Sequence, residues 1–274
     1  MVGDSGGQNR SIIWDTVNGI QELPGTNNSL AQAQDVNSDA QIIVGFSAHE
    51  VFNGAAYYWN SVGINRLNDN IPGHSLVQSI AKTVSPNGNY IGGEITAIDS
   101  QGSFQLYPVV WEGAERTLRV LTDSSGNFIQ GTVTDVSDLG YAVGTLFDVS
   151  FNAFGLIWNP NFTDGVEIFE DWLEEESPGA NFPFDSLNVT SVGSGNGRLF
   201  FTVSGDIDEF AFVEMIIDIE LGDVNQDGVV NFSDIPPFIQ VLQAGDFQIE
   251  ADVDQNGEVN FSDIPSFIDV LIGQ

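Results

Sequence analysis

The chain has 274 residues, with 39 acidic and 6 basic side chains and a formal net charge of −33. Such a surface repels phosphate backbones and anionic lipids, which argues against nucleic-acid binding. With no Cys and only two His, His49 and His74, the sequence excludes disulfides, thiol chemistry, Cys-ligated zinc and a three-His metal centre. No apolar run approaches the roughly 18 residues of a membrane span, so membrane insertion is not expected.

Met1 to Gly7 lack the basic and apolar regions of a secretion signal. That leaves either a cytoplasmic protein or one whose N-terminus is truncated or misassigned. Apolar residues reach 42%, enough for a buried core, and 20 Phe with 30 Gly favour β structure with many turns. The acidity has two readings: a solubilising surface, and divalent-cation binding in one part of the chain.

Four segments align along residues 1–220: Asp35–Gly45, Thr83–Gly93, Asp135–Gly144 and Ser191–Phe201. Each reads as a strand, a turn rich in Gly, Asn or Asp, and a second strand, and the first three end in Val-Gly or Gly-Gly. A third strand follows in each unit, at Ala55–Trp59, Tyr107–Trp111, Phe154–Trp158 and Phe210–Ile217. Ser11–Trp14 looks like that third strand without what should precede it. A fourth strand follows, as at Ile64–Leu67 or Thr117–Leu121. Units of roughly 50 residues and three to four strands fit propeller blades, each a small sheet that needs neighbours to bury its faces. The expected fold is therefore mainly β, a β-propeller-like repeat domain of about four to five blades over 1–220, with the repeated Trp as core. The pattern of turn, Val-Gly and an aromatic strand ending in Trp resembles the HAF-repeat family. Asn152-Ala-Phe154 and Phe210-Ala-Phe212 come closest to its eponymous triplet. This resemblance implies an extracellular architecture more than an activity.

The acidic stretch Glu167–Glu176 is expected to be a solvated loop or short helix rather than a glycosidase carboxylate pair. His49 and His74 fall in predicted loops and need no special role. No phosphate loop, zinc helix motif or nucleophile elbow marks the chain, and no catalytic residue is assigned.

The last 53 residues, 222–274, repeat themselves. Asp223-Val-Asn-Gln-Asp-Gly-Val-Val-Asn-Phe-Ser-Asp234 recurs 29 residues on as Asp252-Val-Asp-Gln-Asn-Gly-Glu-Val-Asn-Phe-Ser-Asp263. Oxygen side chains stand at positions one, three, five, nine and twelve. They are Asp223, Asn225, Asp227, Asn231 and Asp234 in the first loop, and Asp252, Asp254, Asn256, Asn260 and Asp263 in the second. Calcium is a hard ion taking about 6–8 oxygens, and this spacing wraps one ion per loop, two in all. Gly228 and Gly257 permit the turn, and Val229 and Glu258 would offer backbone carbonyls. Phe238, Ile239 and Leu242, and again Phe267, Ile268 and Leu271, recur at helical spacing, with Pro236 and Pro265 in the first turn. Each unit is thus a loop followed by a helix, with no helix before the loop. The segment has ten Asp or Glu and no Lys or Arg, so metal binding is expected to drive its folding.

This pair of half EF-hands resembles the type I dockerin family, over all of 222–274. The resemblance implies two bound calcium ions and docking to a cohesin-like domain on a scaffold or cell surface. It also implies that loop positions ten and eleven, here Phe232-Ser233 and Phe261-Ser262, help select the partner, in either of two orientations. The two Phe could instead pack between the halves of the module, and both readings stand at this stage. The favoured function is a non-catalytic extracellular or cell-surface protein whose propeller binds or displays. The alternative is a polysaccharide-degrading enzyme, such as a glycoside hydrolase, or a glycan-binding component delivered to a complex. A cytoplasmic calcium sensor fits less well, because sensor loops end in Glu and lie between two helices.

Overall fold

The computed structural model describes residues 2–4, 11–15, 17, 19–23, 31–48, 54–162, 165–177, 188–195, 198–204, 210–216, 221–225, 230–244, 248–254 and 259–272. The chain divides into two compact units, residues 1–193 with 201–213, and residues 194–200 with 214–274.

Five sheets follow one another among the described residues, and the strand pairs of the first four are antiparallel. The first holds β1 (Val2–Asp4), β2 (Ser11–Asp15) and β3 (Gly19–Glu22). The second holds β4 (Ala31–Val36), β5 (Ile43–Ser47), β6 (Ala55–Asn60) and β7 (Gly63–Arg66). The third holds β8 (Ser75–Val84), β9 (Tyr90–Ile98), β10 (Phe104–Glu112) and β11 (Thr117–Val120). The fourth holds β12 (Gln130–Val136), β13 (Ala142–Phe147), β14 (Ala153–Trp158) and β15 (Glu167–Ile168). The fifth holds β16 (Asn188–Gly195), β17 (Arg198–Ser204) and β18 (Phe210–Ile216). In each, sequential strands are neighbours, as in a blade.

Successive sheets bury their faces on each other. Ala33, Tyr57 and Trp59 of the second sheet pack with Leu23 and Ile13 of the first. Val44 and Ala56 join Ile91, Val109 and Trp111 of the third, and Val110 then packs with Val133, Leu156 and Trp158 of the fourth. This face-to-face succession makes the body propeller-like.

Three expectations are corrected here. The strand at Ser11–Trp14 is not stripped of a predecessor, because β1 pairs with it from Val2↔Ile13 to Asp4↔Ser11. Its Trp14 is also not core. It is 45% exposed, whereas Trp59, Trp111 and Trp158 are buried. The acidic stretch does form a helix, α1 (Phe169–Glu176), but not a fully solvated one, because Phe169, Trp172 and Leu173 are buried. Trp172 lies 5.6 Å, ring to ring, from Phe201.

The Val-Gly repeat has a steric cause. The first strand of the second, third and fourth sheets carries a β-bulge, between Ala33 and Asp35, Ala81 and Thr83, and Val133 and Asp135. Opposite lie Gly45, Gly93 and Gly144. A Cβ at any of them would sit 2.0 Å from a bulge carbonyl, that of Gln32, Ile80 or Thr132. The bulge needs glycine across from it and re-aims the residue that follows.

Those re-aimed residues clasp neighbouring sheets. Asp35 accepts from the Val84 amide at 2.9 Å, and Asp135 accepts from the Val192 amide at 2.9 Å. The Thr83 hydroxyl lies between the two carboxylates, 3.2 Å from Asp35 and 2.9 Å from Asp135, and its one proton can serve either. Burial pushes the Asp135 carboxyl above its ordinary value against the pull of these donors.

Candidate metal centre and docking surface

The second unit holds α2 (Ile235–Ala244) and α3 (Asp263–Ile272), one after each acidic loop. Apolar residues at helical spacing turn Phe238 and Phe267 inward, into a small core with Val224, Ala251 and Val253. The helix-free approach to the second loop is corrected, among the described residues, by one 3₁₀ turn at Ile249–Ala251. Gly222 stands at φ +99°, a left-handed value that favours glycine, and its amide donates to the Glu250 carbonyl at 2.8 Å. The Gln248 side chain donates to the Val224 carbonyl at 2.7 Å, so each loop begins against the other half.

The two loops share one hydrogen-bond plan. The fully buried Asp234 accepts the Asn225 amide at 2.9 Å and the Asn231 amide at 2.8 Å. Asp263, equally buried, accepts the amides of Asp254 at 3.1 Å and Asn260 at 2.9 Å. Asn231 in turn caps the helical run by accepting the Ser233 amide, and Asn260 accepts that of Ser262. The twelfth carboxylate therefore fixes the loop's third and ninth residues at once.

Asp223 and Asp252 are also buried, at the first position of each loop. Oxygens of Asp252, Asp254 and Asp263 all lie within 4.8 Å of one another. Three carboxylates at this spacing, in a segment without Lys or Arg, would have their repulsion relieved by a bound cation. Hard oxygen donors alone suit calcium rather than zinc. Asp227, Val229, Asn256 and Glu258 lie outside the described residues.

Phe232 and Phe261 stand 75% and 79% exposed, so neither ring is packed between the halves. Ile239 and Ile268, read from the sequence as part of the helical apolar stripe, are 46% and 48% exposed. Each follows the buried Phe by one residue, about 100° around the helix, and that offset was the available signal. Sequence reasoning also missed the Ser hydroxyls. That of Ser233 meets the Asn225 Nδ2 at 2.6 Å, and that of Ser262 meets Asp254 Oδ2 at 2.7 Å.

Residues 221–269 match the family model of the dockerin type I domain. This segment is a type I dockerin. No curated protein sequence matches the chain. Among solved structures, TolB from Acinetobacter baumannii is 14% identical with a TM-score of 0.44, over 79% of this chain and 49% of that one. The chain thus spans about half the length of that protein. A structure assigned to TolB of Agrobacterium tumefaciens is 12% identical with a TM-score of 0.44, over 77% of this chain and 71% of that one. The β-propeller domain of the Trilobed protease from Pyrococcus furiosus is 9% identical with a TM-score of 0.32, over 78% and 77%.

In the body, the candidate groups do not assemble a comparable centre among the described residues. His74 forms an edge-to-face trio with Tyr107 at 5.2 Å and Phe128 at 5.4 Å, and its Nδ1 lies 3.0 Å from the Pro72 carbonyl. His49 lies outside the described residues. Arg116 lies against the Tyr58 ring at 5.5 Å and donates to the Gly88 and Gly113 carbonyls. Its desolvation lowers its affinity for its proton.

Proposed function

We propose that this is an extracellular or cell-surface protein whose residues 1–220 form a binding or display body, and whose residues 222–274 tether that body through two calcium ions to a cohesin-type domain. The observation that carries the reading is the doubling of one arrangement. Each loop has a buried twelfth carboxylate gripping its own third and ninth amides, and each puts an exposed Phe two residues before it. Dockerins bind calcium and cohesins, which supports the partner class. The matched pairs Phe232-Ser233 and Phe261-Ser262 support docking in either of two orientations. The high calcium outside cells suits loops of this kind, which supports the location.

The test is binding of the full chain to immobilised type I cohesins in calcium and in chelator. Capture in calcium with release by chelator is expected. Equal retention in chelator would remove the mechanism.

A glycan-binding body is the second reading, favoured over a hydrolase by one observation. Phe104 and Phe128 are exposed, Phe128 against the His74–Tyr107 pair, as a sugar-stacking face requires, while the Asp35 and Asp135 carboxylates are engaged by backbone amides. Affinity electrophoresis of the protein and of Phe104→Ala with Phe128→Ala in polysaccharide gels tests it. Unchanged mobility of the unmodified protein across neutral glycans would set it aside.

A further inference from the structure

We infer that Ser233 and Ser262 are positioning residues for the third ligand of each calcium loop, their hydroxyls bonded to the side chains of Asn225 and Asp254. The inference rests on the calcium reading above and goes beyond it.

The two loops differ at this position, Asn in the first and Asp in the second. An Asn can offer a cation only its carbonyl oxygen, because its NH₂ group has no lone pair to give. In the first loop, Asn225 Nδ2 donates to Ser233 Oγ at 2.6 Å. With the nitrogen held on the serine side, the amide is kept from flipping, and Oδ1 is the atom presented to the loop. In the second loop the polarity reverses. Ser262 Oγ donates to Asp254 Oδ2 at 2.7 Å, which fixes the orientation of the carboxylate. Asp254 belongs to the carboxylate cluster with Asp252 and Asp263, so the oriented side chain is one of the site's own donors.

A hydroxyl is a donor and an acceptor that rotates to suit, so one residue type serves both loops. Its backbone is also fixed, since the Ser233 and Ser262 amides donate to Asn231 at 2.7 Å and Asn260 at 2.8 Å. Both members of each pair are exposed, and beside the phenyl ring the hydroxyl bonds the third side chain of the loop. Hydrogen bonds of this outer kind commonly tune metal affinity by about 10–100-fold.

The experiment is calorimetric calcium titration of the full chain and of its Ser233→Ala, Ser262→Ala, Ser233→Thr and Ser262→Thr variants. Each Ala variant is expected to weaken one of two binding events by roughly tenfold and to spare the other. Each Thr variant keeps the hydroxyl and should restore affinity to near the original. Terbium luminescence gives a second readout: a lost third ligand admits water to the ion and shortens the lifetime of the affected site. Ala variants that bind both ions as tightly as the original, with unchanged lifetimes, overturn the inference. So does a Thr variant as weak as Ala, since packing would then be the cause. No calcium heat from the unmodified chain would instead refute the calcium reading itself.

Discussion

Phe238 and Phe267 stack with ring centroids 3.9 Å apart and planes 12° from parallel. They hold the same place in the two halves of the dockerin, one on α2 and one on α3, and both are buried. With so few apolar residues in this module, the pair is the joint on which both loops rest. Phe238→Ala should cost about 3–5 kcal/mol through lost burial and an unfilled cavity. In calorimetry with calcium saturating, the tail's transition should fall steeply or vanish while that of the body stays put. An unmoved tail transition would mean that the halves are joined elsewhere.

Calcium removal should unfold the tail selectively. The buried carboxylates Asp223, Asp234, Asp252 and Asp263 sit in a segment without basic side chains, so a bound cation is the expected source of opposite charge. A site filled at a hundred times its Kd contributes about 2.7 kcal/mol. Excess chelator should therefore reduce helical circular dichroism, to which the tail contributes α2 and α3. The β-sheet transition of the body should survive, because its contacts contain no such loop. Helicity that is indifferent to chelator would show that the tail needs no ion.

The bulge glycines make the body's packing testable. At Gly144 a Cβ would lie 2.0 Å from the Thr132 carbonyl oxygen, an obstruction of backbone that no rotamer change relieves. Gly144→Ala is expected to destabilise the body by at least the roughly 1–3 kcal/mol of an overpacked core, read as a lowered melting temperature. Calcium titration should be unchanged, which separates this effect from one on the tail. Gly113→Ala has open space around it and strains only through its φ of +65°, so it should cost less.

The strands and loops were legible because their signals are local. Val36, Val84 and Val136 mark homologous strand ends, and the oxygens at alternate positions of 223–234 and 252–263 announce their ligand. What escaped notice depends on distant partners. Asp35 and Asp135 look like ordinary turn acids, yet bulges aim them at Val84 and Val192 of the next sheets. Gly45, Gly93 and Gly144 were visible as a repeat, but their cause lies in a carbonyl on the paired strand. Trp14 carries the same strand signal as Trp59, and only the surroundings of each strand decide that one is exposed and the other buried. At Glu167–Glu176 a short helix was one of the two readings, and what stayed hidden was its buried face, because five acids surround the three buried residues of the helix.

Stability of the body should respond to acid in two opposed stages. Asp138 and Asp135 are held above the ordinary aspartate value of 3.8, in both cases chiefly by burial. A raised carboxyl contributes stability that is full below 3.8 and is lost as pH rises through its folded value. Asp99, Asp123 and Asp148 lie in exposed turns and are shifted the other way. The Ser103 amide comes first among the causes at Asp99, and the Asn127 and Asn152 side chains at Asp123 and Asp148. Their contribution is present above 3.8 and is lost as pH falls through their lowered values. In chelator, acidification from neutral should first raise the body's melting temperature, helped by relief of the −33 net charge, and below about pH 4 lower it. Asp138→Asn keeps an oxygen to accept the Asn87 amide, now 2.7 Å away, without burying a charge. It should raise the melting temperature at pH 7, and that gain should disappear under acid conditions, where Asp138 itself is neutral. A variant that gains nothing at neutral pH, or gains equally at both, would show that burial of this charge does not oppose folding.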